Sequence, residues 1–143
     1  MATIDVSGQN TPIQGGTFGN KSAEHFRYVP TANLSAGDRV KLCKLEKGIK
    51  VLDIHACTED NLTDLTLSFG FEYEDAALAS LDSDVYFMDA VAAATAGVFR
   101  KSKPLPPPEM AGDAWLVVTF GVAAFPTTNR LDVVLDYDFR GKP

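Results

Sequence analysis

Between Leu65 and Tyr73, apolar and polar residues alternate without a break. Leu65, Leu67, Phe69, Phe71 and Tyr73 fall on one side; Thr66, Ser68, Gly70 and Glu72 fall on the other. A period of two is what a strand with one buried face imposes, because successive side chains leave a strand in opposite directions. The pattern returns near the end of the chain, where Leu131, Val133, Leu135, Tyr137 and Phe139 alternate with Asp132, Val134, Asp136, Asp138 and Arg140. It also marks both arms of the stretch from Gly37 to Ala56. A chain patterned this way must bury sheet faces, which points to a mainly β architecture.

The Gly37–Ala56 stretch predicts two strands joined by a tight loop. Val40 and Leu42 alternate on the first arm, and Leu52, Ile54 and Ala56 on the second. Glu46-Lys47-Gly48 reads as a three-residue hairpin loop, with Gly48 at the left-handed position. Pairing Leu45 with Ile49 then sets Leu42 against Leu52 and Val40 against Ile54. On the opposite side, Lys41 meets Asp53 and Arg39 meets His55, so unlike charges face each other in the first pair. Lys44 and Lys50 fall on the apolar side of this register, close to the loop, where long stems reach water.

Residues 1–22 are rich in Gly, Ser, Thr, Asn and Gln and hold only Ile4, Val6, Ile13 and Phe18 as sizeable apolar groups. They cannot build a core of their own. Two readings suit them: a loose tail, or an arm that orders on a partner subunit with those four residues as anchors. Residues 24–30 predict a short strand that Pro30 ends. From Asp75 to Ala96 the sequence becomes Ala-rich, which predicts a short helical turn and then a helix over about 84–96, capped by Ser83 or Asp84. Phe87, Met88 and Val91 would form its apolar face. Val98–Lys101 predicts a short strand, and Pro104–Pro108 a stiff connector. Trp115–Val122 is apolar on both faces, Trp115 and Val117 included, as expected of a central strand or one at a subunit contact. Leu131–Phe139 reads as a terminal edge strand. Its wet face, with Asp132, Asp136 and Asp138, would discourage stray strand pairing and could meet a basic partner. Six or seven strands with one helical insertion predict a single-domain antiparallel β-sandwich, jelly-roll-like, over residues 23–143, preceded by the Gly/Ser-rich arm 1–22.

The chain has 143 residues, 19 acidic and 13 basic, for a formal charge of −6. That balance argues against a nucleic-acid binder and against docking to an anionic membrane. The start, Met1-Ala-Thr-Ile-Asp-Val, has neither the basic nor the apolar segment of a signal peptide. Cys43 and Cys57 lie about six residues apart along the expected ladder, roughly 20 Å, too far for a disulfide, so both read as free thiols. His25 and His55 are the two histidines. Cys43 lies about four residues from His55 along the expected ladder, outside direct reach, Cys57 shares a face with His55 but has no evident activating partner, and His25, Cys43, His55 and Cys57 lack the spacing of a zinc site. The acidic groups include Asp132, Asp136 and Asp138, and none follows a calcium-loop pattern. No phosphate loop or nucleophile elbow is present. The expectation is a chain without catalytic residues, cofactor or metal.

Segment order adds a resemblance. A Gly-Asp opens a strand that leads through Lys-Leu to a Lys-Gly loop (Gly37–Val51). Then come the strand Leu65-Thr-Leu-Ser-Phe-Gly-Phe-Glu-Tyr-Glu-Asp75, the segment Asp84-Val-Tyr-Phe-Met-Asp-Ala-Val-Ala92 and a closing β-hairpin. Over about residues 24–140 this resembles the capsid decoration (cement) proteins of tailed bacteriophages. The resemblance implies a non-enzymatic β-sandwich, made in the host cytoplasm and bound to the capsid exterior. It would dock on the major capsid protein, assemble as a homotrimer, and tie neighbouring capsid subunits together. It transfers no individual residue. A tail, neck or fibre component and a carbohydrate- or receptor-binding β-sandwich are the alternatives.

Overall fold

The computed structural model describes residues 2–7, 21–58, 64–92, 97–100 and 107–139. Among these residues lie nine strands: β1 Thr3–Asp5, β2 Lys21–Tyr28, β3 Arg39–Leu45, β4 Ile49–Thr58, β5 Thr66–Tyr73, β6 Ser83–Ala92, β7 Gly97–Arg100, β8 Ala114–Gly121 and β9 Leu131–Phe139. A 3-10 turn, Ala76–Leu81, precedes β6; Asp75 caps it by accepting the Ala77 amide at 2.9 Å.

Two sheets form, in the orders β1-β3-β8-β5-β6 and β2-β9-β4-β7. The pairing is nested: β2 with β9, β3 with β8, β4 with β7 and β5 with β6, every pair antiparallel. Such nesting is the pairing of a jelly roll. β1 is added in parallel along the outer edge of β3. The inward side chains of both sheets close on one core that holds Phe69, Phe87, Phe120 and Phe125. Phe120 and Phe125 pack at 4.7 Å between ring centroids, and Tyr28 lies against both. The period-two patterning thus resolves as expected into a mainly β sandwich, with β8 third of the five strands in its sheet.

Three expectations need correction. First, β3 and β4 are not a hairpin. The Glu46–Gly48 turn, closed by the Ile49 amide on the Glu46 carbonyl at 3.1 Å, carries the chain from one sheet to the other. Alternation records which side of a strand is buried, and two arms facing each other across a core satisfy it as well as two arms side by side. Lys41 therefore lies opposite Val117, and Asp53 opposite Asp136. The register also shifts between Lys41 and Cys43 and between Val51 and Asp53. A bulge inserts one residue and so reverses which parity faces inward. Beyond the first shift, Cys43 and Leu45 are buried while Lys44 turns outward; before the second, Ile49 and Val51 are buried while Lys50 turns outward and Leu52 is only half-buried. The two lysines that fell on the apolar side are placed outside by these bulges.

Second, residues 84–92 belong to strand β6 and are not helical; 93–96 lie outside the described residues. Alanine favours a helix locally. Yet β5 presents an edge of backbone donors and acceptors that need partners, and Val85-Tyr86-Phe87 is a good strand former. Phe87 and Met88, assigned to a helix face, are buried all the same. The strand is irregular: its register against β5 shifts twice, and Ala90 has φ 50°. Third, β9 is no edge. It lies between β2 and β4.

Of the N-terminal candidates, Ile4 sits in β1 and packs against the core, and Val6 is part of the core. Ile13 and Phe18 lie outside the described residues, as do 101–106 of the proline-rich segment.

Candidate functional site

With both inner faces committed to the core, the outer faces carry what the chain can present to a partner. On the sheet β2-β9-β4-β7, alternation puts His25 and Arg27 of β2, Asp132 and Asp136 of β9, and Asp53 and His55 of β4 on the outside. Antiparallel register brings them side by side across 107 residues of sequence. Asp132 Oδ1 lies 2.9 Å from His25 Nε2 and accepts from Arg27 Nε at 3.4 Å, while its Oδ2 accepts from Arg130 Nε at 2.9 Å. Burial pushes the Asp132 carboxyl up, but the hydrogen bonds from His25 and Arg130, with the Arg130 charge and the Arg27 contact, outweigh it and hold the group below its ordinary value. Of the carboxylates expected to meet a basic partner, Asp132 is thus already met by Arg27 and Arg130 of its own chain. Asp138, the third of that row, is buried at 6% exposure.

Further along this face, His55 Nε2 lies 3.8 Å from Asp53 Oδ2 and 3.8 Å from Asp136 Oδ2. Asp53 owes its position to the β4 bulge and is directly opposite Asp136. Sequence reading missed this trio because Asp53 and Asp136 belong to segments that only the jelly-roll pairing joins. Its outward i, i+2 spacing at 53 and 55 was the one available signal. The set His25, Cys43, His55 and Cys57 is not brought together: Cys43 is fully buried in β3 of the other sheet. Burial, with the Glu24 charge, raises the Cys43 thiol far above its ordinary value, which makes it a poor nucleophile.

The outer face of the sheet β1-β3-β8-β5-β6 is built differently. Trp115 is half-buried, with Lys41 Nζ 5.4 Å and Lys44 Nζ 5.5 Å from its ring centroid. Two ammonium groups at that range are attracted by the ring's negative face. Lys44 also reaches Glu74 at 3.0 Å and Asp113 at 3.6 Å. Val117 shares the parity of Trp115 yet is fully buried. Beside it is Gly70, its β5 neighbour, over which the backbone of Ser83 and Asp84 passes. Arg39 Nη2 ties this crossing down with bonds of 2.9 Å to both Glu72 and Asp84. At one end of the sandwich, Asp38 accepts the Ala2 amide at 3.0 Å and the Ser35 amide at 2.9 Å, so β1 is held by a side chain as well as by pairing. Those two amides hold the Asp38 carboxyl below its ordinary value.

No protein-family model matches the chain, and no curated protein matches it in sequence. Solved structures do. The chain is similar to one in the capsid of Ralstonia phage GP4, with a TM-score of 0.72 and 15% identity over 99% of each chain. A chain in the capsid asymmetric unit of cyanophage Pam1 aligns with a TM-score of 0.64 and 19% identity over 91% of each. A third, in the acidic stable capsid structure of Helicobacter pylori bacteriophage KHP30, gives 0.51 and 17% over 85% of this chain and 95% of that one. At these identities the likeness is one of fold: this jelly roll, with its nested strands, is shared with chains found in three phage capsid structures.

Proposed function

We propose that this chain is a non-enzymatic structural protein of a phage virion, bound to the outer surface of the capsid, where it bridges and stabilises the shell. The observation that carries the reading is the two-way coverage of the similarity to the Ralstonia phage GP4 capsid chain, 99% in both directions. A partner matched end to end is itself a small single sandwich of about this length. A small sandwich in a capsid suits an added module that ties larger subunits together. The physical demands of that role are modest and match what the chain offers: a well-packed core and two broad sheet faces. Each bound copy stabilises the assembled state by mass action, and symmetric display multiplies weak contacts into avidity.

The finer parts of the proposal are a homotrimeric state, contact with the major capsid protein, and an arm role for residues 1–22. Ile4 and Val6 are already engaged in their own sandwich, so the anchoring role falls to Ile13 and Phe18. The outer face around Trp115 and the face around Asp132 and Asp136 are the two surfaces offered for contact.

Density-gradient sedimentation of the native lysate, with this chain quantified against the major particle protein, tests the proposal. Comigration with a particle at hundreds of copies is expected. A few copies per particle would instead indicate a tail or neck position. A chain that stays at the top of the gradient as a small free species overturns the virion reading.

A further inference from the structure

We infer that Asp53, His55 and Asp136 form a binding site for a divalent transition-metal ion of the zinc class, on the outer face of the sheet β2-β9-β4-β7. Each of the three groups offers one ligand atom, and these atoms lie within 4.8 Å of one another. His55 Nε2 is shielded from solvent and has no hydrogen-bond partner, although carboxylate oxygens stand 3.8 Å away on two sides. That distance is too long for a hydrogen bond. The two separations from His55 are close to the edge of a tetrahedral site, about 3.4 Å for bonds of about 2.1 Å, and the third is no longer than 4.8 Å, so an ion that draws the two carboxylates together would be held by all three groups.

Charge placement argues the same way. Asp53 and Asp136 are cross-strand neighbours in register, and like charges directly opposite each other destabilise a sheet. The β4 bulge between Val51 and Asp53 is what aims Asp53 at this site, and bulges are a usual means of re-aiming a side chain. Both carboxylates have other contacts as well; Asp53 places its Oδ1 on the Ile54 amide at 2.8 Å, and its Oδ2 is the atom nearest His55. One imidazole and two carboxylates suit a borderline ion such as zinc. Calcium would ask for six or more oxygens. The Asp53 side chain is 34% exposed, so an ion reaching the shielded His55 Nε2 past this carboxylate can keep a water, or accept a ligand from a docked partner. Bound there, it would clamp β4 to β9 at the place where the bulge interrupts their ladder.

The test uses the purified full chain after chelator treatment, titrated with zinc chloride by calorimetry, with calcium chloride as a parallel probe. One zinc per chain is expected, with no comparable calcium binding. His55→Gln and Asp136→Asn should each weaken zinc binding roughly tenfold or more, while His25→Gln should retain it. Because a variant can fail to fold, the wild-type protein labelled with nitrogen-15 at histidine supplies a second readout: zinc should move the His55 Nε2 resonance and leave His25 in place. Absence of stoichiometric zinc binding, binding that survives His55→Gln, or a His55 Nε2 resonance that does not respond would each overturn the inference.

Discussion

Gly70 is the position where one added methyl group tests the packing of the outer face. A Cβ at Gly70 would lie 1.9 Å from the Ser83 carbonyl oxygen, 2.4 Å from the Asp84 carbonyl carbon and 2.6 Å from the Asp84 Cα. Ordinary contact needs about 3.5 Å, so the start of β6 must move by about 1.5 Å. All three atoms are backbone, and no rotamer change relieves them. Overpacking of this kind costs about 1–3 kcal/mol. The displaced segment also carries Asp82, which accepts the Tyr73 amide at 2.8 Å, and Asp84, bonded to Arg39. Losing the amide-to-carboxylate bond adds about 1.5–3 kcal/mol; the Arg39 pair, half-exposed at Asp84, adds less than about 1. Gly70→Ala is therefore expected to destabilise by about 2.5–7 kcal/mol. Urea unfolding followed by Trp115 fluorescence measures it, with a lower midpoint at unchanged slope. Gly112→Ala is the control, because its Cβ would meet side chains alone, the movable Leu78 Cδ1 at 2.7 Å and Tyr73 Cδ1 at an ordinary 3.9 Å. If Gly70→Ala costs no more than Gly112→Ala, the crossing of Ser83–Asp84 over β5 is not as described.

Three further outcomes are expected. In the native protein a thiol reagent should label Cys57 and spare Cys43 until denaturant is added, since Cys43 is fully buried and its thiol is pushed up by that burial; equal labelling rates would contradict the placement of β3. The Asp132 carboxyl is held below its ordinary value, so its contribution to stability is present above about pH 4 and is lost as pH falls through the lower folded value. Asp132→Asn should accordingly flatten the loss of thermal stability on acidification below about pH 4, and a profile parallel to wild type would refute the pairing with His25, Arg27 and Arg130. Asp38→Ala removes the acceptor for the Ala2 and Ser35 amides. Hydrogen exchange at the Val6 amide, which bonds the Lys41 carbonyl at 3.1 Å, should then speed up, and an unchanged rate would show that β1 is held by pairing alone.

Much of the architecture was legible because burial leaves a mark on every strand. Leu65 to Tyr73 and Leu131 to Tyr137 announce their inward faces residue by residue, and both are buried as expected. Partner choice leaves no such mark. The arms around Glu46–Gly48 carry the same alternation whether they pair or face each other, and their two bulges are invisible in sequence except through the misplaced Lys44 and Lys50. Those lysines were the trace of the parity reversal. At residues 84–92 local alanine content pointed one way and the unmet edge of β5 the other; the edge prevailed. The trio Asp53, His55 and Asp136 was beyond reach, because its assembly needs β4 and β9 to be known neighbours.

The nested pairing has a consequence for how the chain acquires its fold. β8 and β9 follow every other strand in sequence, yet each lies in the interior of its sheet. Before they are made, β2 and β3 lack their antiparallel neighbours, and among the described strands the one adjacent-in-sequence pair available is β5 with β6. Folding must therefore wait on distant partners and is expected to be slow for a domain of this size, as high contact order dictates. During synthesis the growing chain holds two half-built sheets whose open edges are each filled only when the C-terminal strands slide into place. A truncation that removes β9 would leave β2 with no strand to pair with and reopen the flank of β4, and such a chain should be recovered as aggregate rather than as a smaller sandwich.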